Sequence, residues 1–129
     1  MHVDIHLANN NYQLALETAD HYLNSLNLHQ VKILVPDLLN QKARALIGLK
    51  QVEQAYQTLI EARLLATEQN SRRSLWAILL DMADLENDPQ TANVLRDEAR
   101  QIITYISTHI SDPDLSELFL NLARVRRSD

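Results

Sequence analysis

A single glycine among 129 residues constrains this chain more than any other feature of its sequence. Sandwiches and barrels of many short strands need Gly, Pro and Asn-Gly pairs at their turns. One Gly with three Pro cannot supply them. The chain offers a helical rhythm instead. Tyr12, Ala15, Leu16, Ala19, Tyr22, Leu23 and Leu26 follow in steps of three and four, which keeps one apolar stripe on one side of a helix. With 46% hydrophobic and 22% charged residues there is enough apolar side chain for one folded domain, and too little charge for a disordered chain. The predicted fold class is all-α.

Start and stop signals divide the chain further. Asn10, with Gln13 three residues on, reads as the N-cap of the first long helix, Gln13 reaching back to it. A second helix is predicted over 31–49 through Leu38, Leu39, Ala43, Leu46 and Leu49, with Pro36 in its first turns or at its true start. Gly48 stands where that pattern ends and is expected to take a left-handed cap. The third helix carries Val52, Ala55, Tyr56, Leu59, Ala62 and Ala66, and its Leu64 and Leu65 widen the stripe enough to predict packing on more than one side. Ser71 is the expected cap of a fourth helix with Leu75, Trp76, Leu79, Leu80 and Ala83. Asp88-Pro89 and Asp112-Pro113 read as N-cap and N1 of a long fifth helix and a short last one, with a tail from Arg124 that should fray.

Charge excludes one class of partner. Twelve Lys and Arg against seventeen Asp and Glu give a net charge of -5, the wrong sign for a phosphate-backbone binder. The basic residues Arg72, Arg73, Arg124, Arg126 and Arg127 lack interleaved aromatics on which bases could stack. The N-terminal residues have neither a basic start nor an apolar core, so no secretion signal and no membrane anchor is expected. With no Cys there is no disulfide framework, and the cytoplasm is the expected compartment.

Three segments superpose on one another. Asn11 to Leu16, Gln51 to Tyr56 and Asp88 to Asn93 align with Ala15, Ala55 and Ala92 in one column. Tyr22, Ala62 and Ala99 follow each alanine by seven residues, and Ala43 and Leu80 precede the second and third, with Leu39 and Trp76 earlier still. The pattern resembles the tetratricopeptide repeat, with Trp76-Ala77-Ile78-Leu79-Leu80 nearest to its Trp-x-x-Leu-Gly signature. Ala43 and Leu80 stand where the family has glycine, no proline closes a unit, and the period exceeds the family's ~34 residues. The lengthened units are similar to the C-terminal helical arrays of large bacterial multidomain signalling ATPases, cyclases and transcription regulators.

That resemblance implies an antiparallel helix-pair solenoid of about three units, over 1–27, 31–68 and 71–110, with a capping helix over 113–123. The first unit has room for only a short leading helix. The chain therefore reads as the C-terminal part of a larger protein, or as one whose uncapped N-terminal end is covered by a second copy in a homodimer.

Candidate chemistry is sparse. His2 and His6 share a helix face at metal-ligand spacing but have no third or fourth ligand, so no metal site is assigned. His21, His29 and His109 are isolated and read as solvent-side polar positions, and Trp76 with Tyr12, Tyr22 and Tyr56 reads as core. No glycine-rich loop exists for a nucleotide and no elbow surrounds Ser71, Ser74 or Ser107, so no cofactor and no nucleophilic catalysis are expected. Asp81, Asp84, Glu86 and Asp88 are read as a solvated or binding surface, since an acid–base pair needs a pocket that perturbs it.

The expected function is a non-catalytic protein-interaction or scaffold module of a signalling or regulatory protein. The alternatives are a homo-oligomeric structural protein and, behind it, a small enzyme or metal-binding protein. In the family it resembles, one side of each leading helix lines a concave groove. Carried across by register, that side holds Asp4, then Asp37, Asn40 and Arg44, then Asp81 and Asp84. Such a groove is acidic and favours a basic or neutral protein segment, either a separate partner's or one from the parent chain itself.

Overall fold

The computed structural model describes the backbone of residues 2–127 and the side chains of 3 and 5–123. Among the described residues every regular element is a helix: α1 (His2–Ala8), α2 (Tyr12–Leu28), α3 (Val35–Gly48), α4 (Val52–Glu68), α5 (Arg72–Leu85), α6 (Pro89–Thr108) and α7 (Pro113–Arg127). None is long and apolar enough to cross a membrane. The chain divides into two compact units, Met1–Ser74 and Leu75–Asp129, with the division inside α5.

In the first unit helices adjacent in sequence pack side by side, and α1 also reaches α3. One turn is repeated between them. Asn10, Gln30, Lys50 and Asn70 have φ of 58°, 56°, 64° and 53°, and they recur every twenty residues. At each, the next amide donates back across the helix end: Asn11 to His6, Val31 to Leu26, Gln51 to Leu46 and Ser71 to Ala66, at 2.8–2.9 Å. The left-handed residue itself donates to Leu7, Asn27, Ile47 and Thr67 respectively. This is the Schellman termination, which satisfies the orphan carbonyls of a helix end. Here non-glycine residues hold it at every occurrence.

Gly48 therefore does not cap its helix. The left-handed position is Lys50, and no glycine has positive φ. Gly48 ends α3 under the ring of Tyr12, where a Cβ would run into ring carbons Cγ, Cδ1 and Cδ2. Close approach, and not backbone freedom, explains the one glycine. Asn10 is likewise not the N-cap of α2. Asn11 is, without a side-chain cap bond. Asn10 accepts the Tyr12 hydroxyl at 2.9 Å, and Gln13 donates forward to Glu17.

The alanine column has a common structural meaning. Ala15, Ala55 and Ala92 each donate their amide to the N-cap carbonyl of their own helix, from Asn11, Gln51 and Asp88, at 2.9–3.0 Å. All three alanines are buried, as are Ala62 and Ala99 seven residues on. In α1 to α3 the core joins Val3, Ala15, Ala19, Leu38 and Ala45, with Leu16, Tyr22, Leu23 and Leu26 packed against it. α3 is buried most completely, through Pro36, Leu38, Leu39, Asn40, Ala43, Ala45 and Leu46. A helix apolar on both sides is an interior helix, and α3 packs on both α2 and α4.

Pro36 decides where α3 begins. A helix started at Val31 would place the Pro36 ring against the carbonyl of Lys32, four residues back. The helix starts at Val35 instead, with Pro36 in its first turn, and 32–34 stay irregular. The connection between α2 and α3 is thereby twice as long as the others in this unit.

In the second unit the turns are made by Asp-Pro. Asp88 caps α6, accepting the Gln90 amide at 3.4 Å and the Thr91 hydroxyl at 2.6 Å. Asp112 does the same before α7, accepting the Asp114 amide at 2.9 Å. α7 packs on α6, where the Ser116 hydroxyl donates to the Ser107 carbonyl at 2.9 Å. Trp76 meets Phe119 edge-on at 5.8 Å between ring centres. It is half-buried, not a deep core anchor. Nor does the last helix stop at 123: it continues to Arg127. Leu64 departs from expectation as well, being 60% exposed.

Candidate functional site

The irregular residues after α2 open a cleft of about 540 Å³ in the first unit. Its apolar lining comes from Leu23 and Leu26 on α2, Val31 on the connection, Val35 and Leu39 on α3 and Leu65 on α4. Its polar lining comes from Asp20, Asn24, Asn27, Gln30, Lys32, Lys42 and Glu61. Lys42 bridges to Asp20 at 2.8 Å. Two acids stand against two lysines, so the lining is neutral overall, and three side-chain amides add donors and acceptors without charge. Apolar side chains mixed with polar groups that can orient a ligand are the makings of a recognition site.

The edge of the cleft is held from α4. Gln69 Nε2 donates to the carbonyl of Lys32 at 2.7 Å, a second bond on a carbonyl that also accepts the Val35 amide at 3.1 Å. Leu28, the last residue of α2, is 81% exposed, and on the connection Ile33 is 72% exposed with Val31 and Leu34 also exposed. Four large apolar side chains in water within seven residues exceed the scattered exposure common on protein surfaces, and such patches mark contact sites.

The acidic groove residues are placed less uniformly than their shared register implies. Asp37, in the first turn of α3, is half-buried and held on both oxygens: Arg73 Nη2 donates to Oδ2 at 2.9 Å and the Ser74 hydroxyl to Oδ1 at 2.7 Å. The Ser71 hydroxyl donates to Ser74 Oγ at 3.0 Å and completes the cluster. Asp37 thus ties α3 to the end of the first unit. Asn40 is buried and Arg44 half-buried on the same face of α3, while on α5 Asp81 is buried and Asp84 exposed. The side chain of Asp4 lies outside the described residues, as does that of His2 in the pair weighed for a metal.

Among the described residues no group of three or more His, Cys, Asp or Glu could hold a metal ion. His109 stacks on Tyr105 at 3.9 Å and its Nδ1 lies 2.7 Å from the Tyr105 carbonyl, a helix-end arrangement. The carboxyl of Asp88 is held below its usual range by the Thr91 hydroxyl first, against a desolvation effect that raises it, with the amides of Gln90 and Thr91 lowering it further. That shift belongs to the N-cap of α6.

The cleft was not legible in the sequence, because its walls come from parts of three helices and one connection. The available signal was Pro36 interrupting a helical pattern beside Val31, Ile33 and Leu34. Comparison with protein-family models, curated proteins and solved structures gives no match for this chain.

Proposed function

We propose that this chain is a protein-interaction module that binds an apolar, uncharged segment of a partner protein in the cleft of α2, α3 and α4. The observation that carries this reading is the cleft itself, about 540 Å³, lined by six apolar side chains and by charges that balance, beside the exposed apolar residues Leu28, Val31, Ile33 and Leu34. The charge balance favours a neutral segment over a basic one. The amides of Asn24, Asn27 and Gln30 suit a peptide backbone, which offers donors and acceptors alike. We read the helices as degenerate tetratricopeptide-like repeats in a solenoid, working as a scaffold within a cytoplasmic regulatory protein. The buried alanines one turn into α2, α4 and α6 support that reading.

Selection from a random peptide library on the immobilised chain tests it. The expected winners are uncharged, with two or three apolar residues, and bind with little salt dependence. Val31→Glu or Leu65→Glu, in a chain whose thermal unfolding is retained, is expected to weaken them at least about tenfold, about 1.4 kcal/mol. Selected peptides that are basic, or that bind both variants equally, contradict this reading.

A further inference from the structure

α7 carries exposed leucines alongside its packing contacts. One side holds Ser116, Phe119 and Ala123, of which Phe119 meets Trp76, Ser116 bonds to α6 and Ala123 is fully buried. Flanking that side stand Leu115, Leu118 and Leu122, which are 55%, 54% and 60% exposed. Those three stand at i, i+3 and i+7, the spacing of a helix–helix seam. An apolar stripe this wide is normally covered across its whole width. Its charge is polarised along its length: the segment starts with Asp112, Asp114 and Glu117 and ends with Arg124, Arg126 and Arg127.

We propose that the Leu115–Leu118–Leu122 face of α7 is an interface with a second copy of this chain, with the two α7 helices antiparallel. A two-fold dimer uses the same patch on both subunits and so needs a patch complementary to itself. Antiparallel pairing lays the acidic start of one α7 along the basic end of the other. Parallel pairing sets like charge on like and is excluded on that ground. Three leucines per subunit form a small seam, so the dimer should be weak and dependent on concentration. The face belongs to the second unit and shares no residue with the cleft of the first.

Sedimentation of the full chain over a wide concentration range reads this directly. Reversible dimerisation that weakens with salt is expected for the unmodified chain, and a monomer at every concentration overturns the proposal. Leu118→Glu should abolish the dimer with helix content retained, while Leu64→Glu, an exposed leucine of α4, should leave it intact; a dimer that survives Leu118→Glu overturns the proposal. Asp114→Arg with Glu117→Arg should weaken dimerisation at least tenfold, and adding Arg124→Glu with Arg126→Glu should restore it, because both reversals together recover complementarity only in the antiparallel arrangement. Failure of that restoration, with circular dichroism unchanged, overturns the orientation.

Discussion

The ring of Tyr12, at the start of α2, lies over the α-carbon of Gly48, at the end of α3. No larger residue at 48 leaves room for it. Elsewhere in a helix, Gly→Ala is a gain of about 0.5–1 kcal/mol. Here the added methyl meets the inner carbons of a rigid ring, and an overpacking loss of about 1–3 kcal/mol outweighs that gain. Gly48→Ala should therefore destabilise the chain in urea unfolding. In a Tyr12→Ala background the same substitution should become neutral or stabilising, and that change of sign is the signature of this contact.

The alanine column predicts a pattern of tolerance. Ala15→Leu, Ala55→Leu and Ala92→Leu each force a larger side chain into a fully or nearly fully buried site and should cost about 1–3 kcal/mol. Asn93→Leu, one residue on and exposed, should change stability by less than about 0.5 kcal/mol. Thermal unfolding of the four variants checks this, and equal tolerance at 92 and 93 would break the shared register of the three helices.

The left-handed turns should be improvable. Gln30 and Lys50 hold positive φ with a side chain present, a conformation that costs an L-residue about 1–2 kcal/mol and glycine almost nothing. Part of that is returned through the greater freedom of glycine in the unfolded chain. Lys50→Gly and Gln30→Gly should each stabilise by about 0.5–1 kcal/mol, and Lys50→Val should destabilise by a similar amount. Chemical denaturation midpoints give the comparison.

Asp88 links stability to acid. Folding lowers its pKa below the ordinary 3.8, chiefly through the Thr91 hydroxyl, so the unfolded chain binds this proton more readily than the folded one. The stabilisation is complete above the unfolded value and is lost as the pH falls through the folded one. Asp88→Asn should therefore lower the melting temperature at neutral pH, and the gap to the unmodified chain should narrow below pH 3.8. A gap that is constant with pH contradicts the assignment of the shift to this cap.

What the sequence disclosed follows the range of each interaction. Asp88-Pro89 and Asp112-Pro113 were legible because a cap acts within three residues. The alanine column was legible because each alanine takes the same place four residues after its N-cap and is buried there, where only a small side chain fits. Gly48 was misread because its reason, Tyr12, is far away in the chain. The Schellman turns were hidden because Asn, Gln and Lys hold the positions where glycine is the usual sign, although their twenty-residue spacing was there to find. Asp37 was read as groove surface because its partners, Arg73 and Ser74, come from the next helix pair.

The most direct measurement is a nuclear magnetic resonance titration of the full chain with a neutral, apolar peptide taken from the library selection. Binding in the cleft of α2 to α4 predicts shift changes concentrated at Leu26, Asn27, Val31, Val35, Lys42 and Leu65, all abolished by Val31→Glu. Changes centred on Asp81 and Asp84 of α5, or a pattern that Val31→Glu leaves untouched, would contradict it.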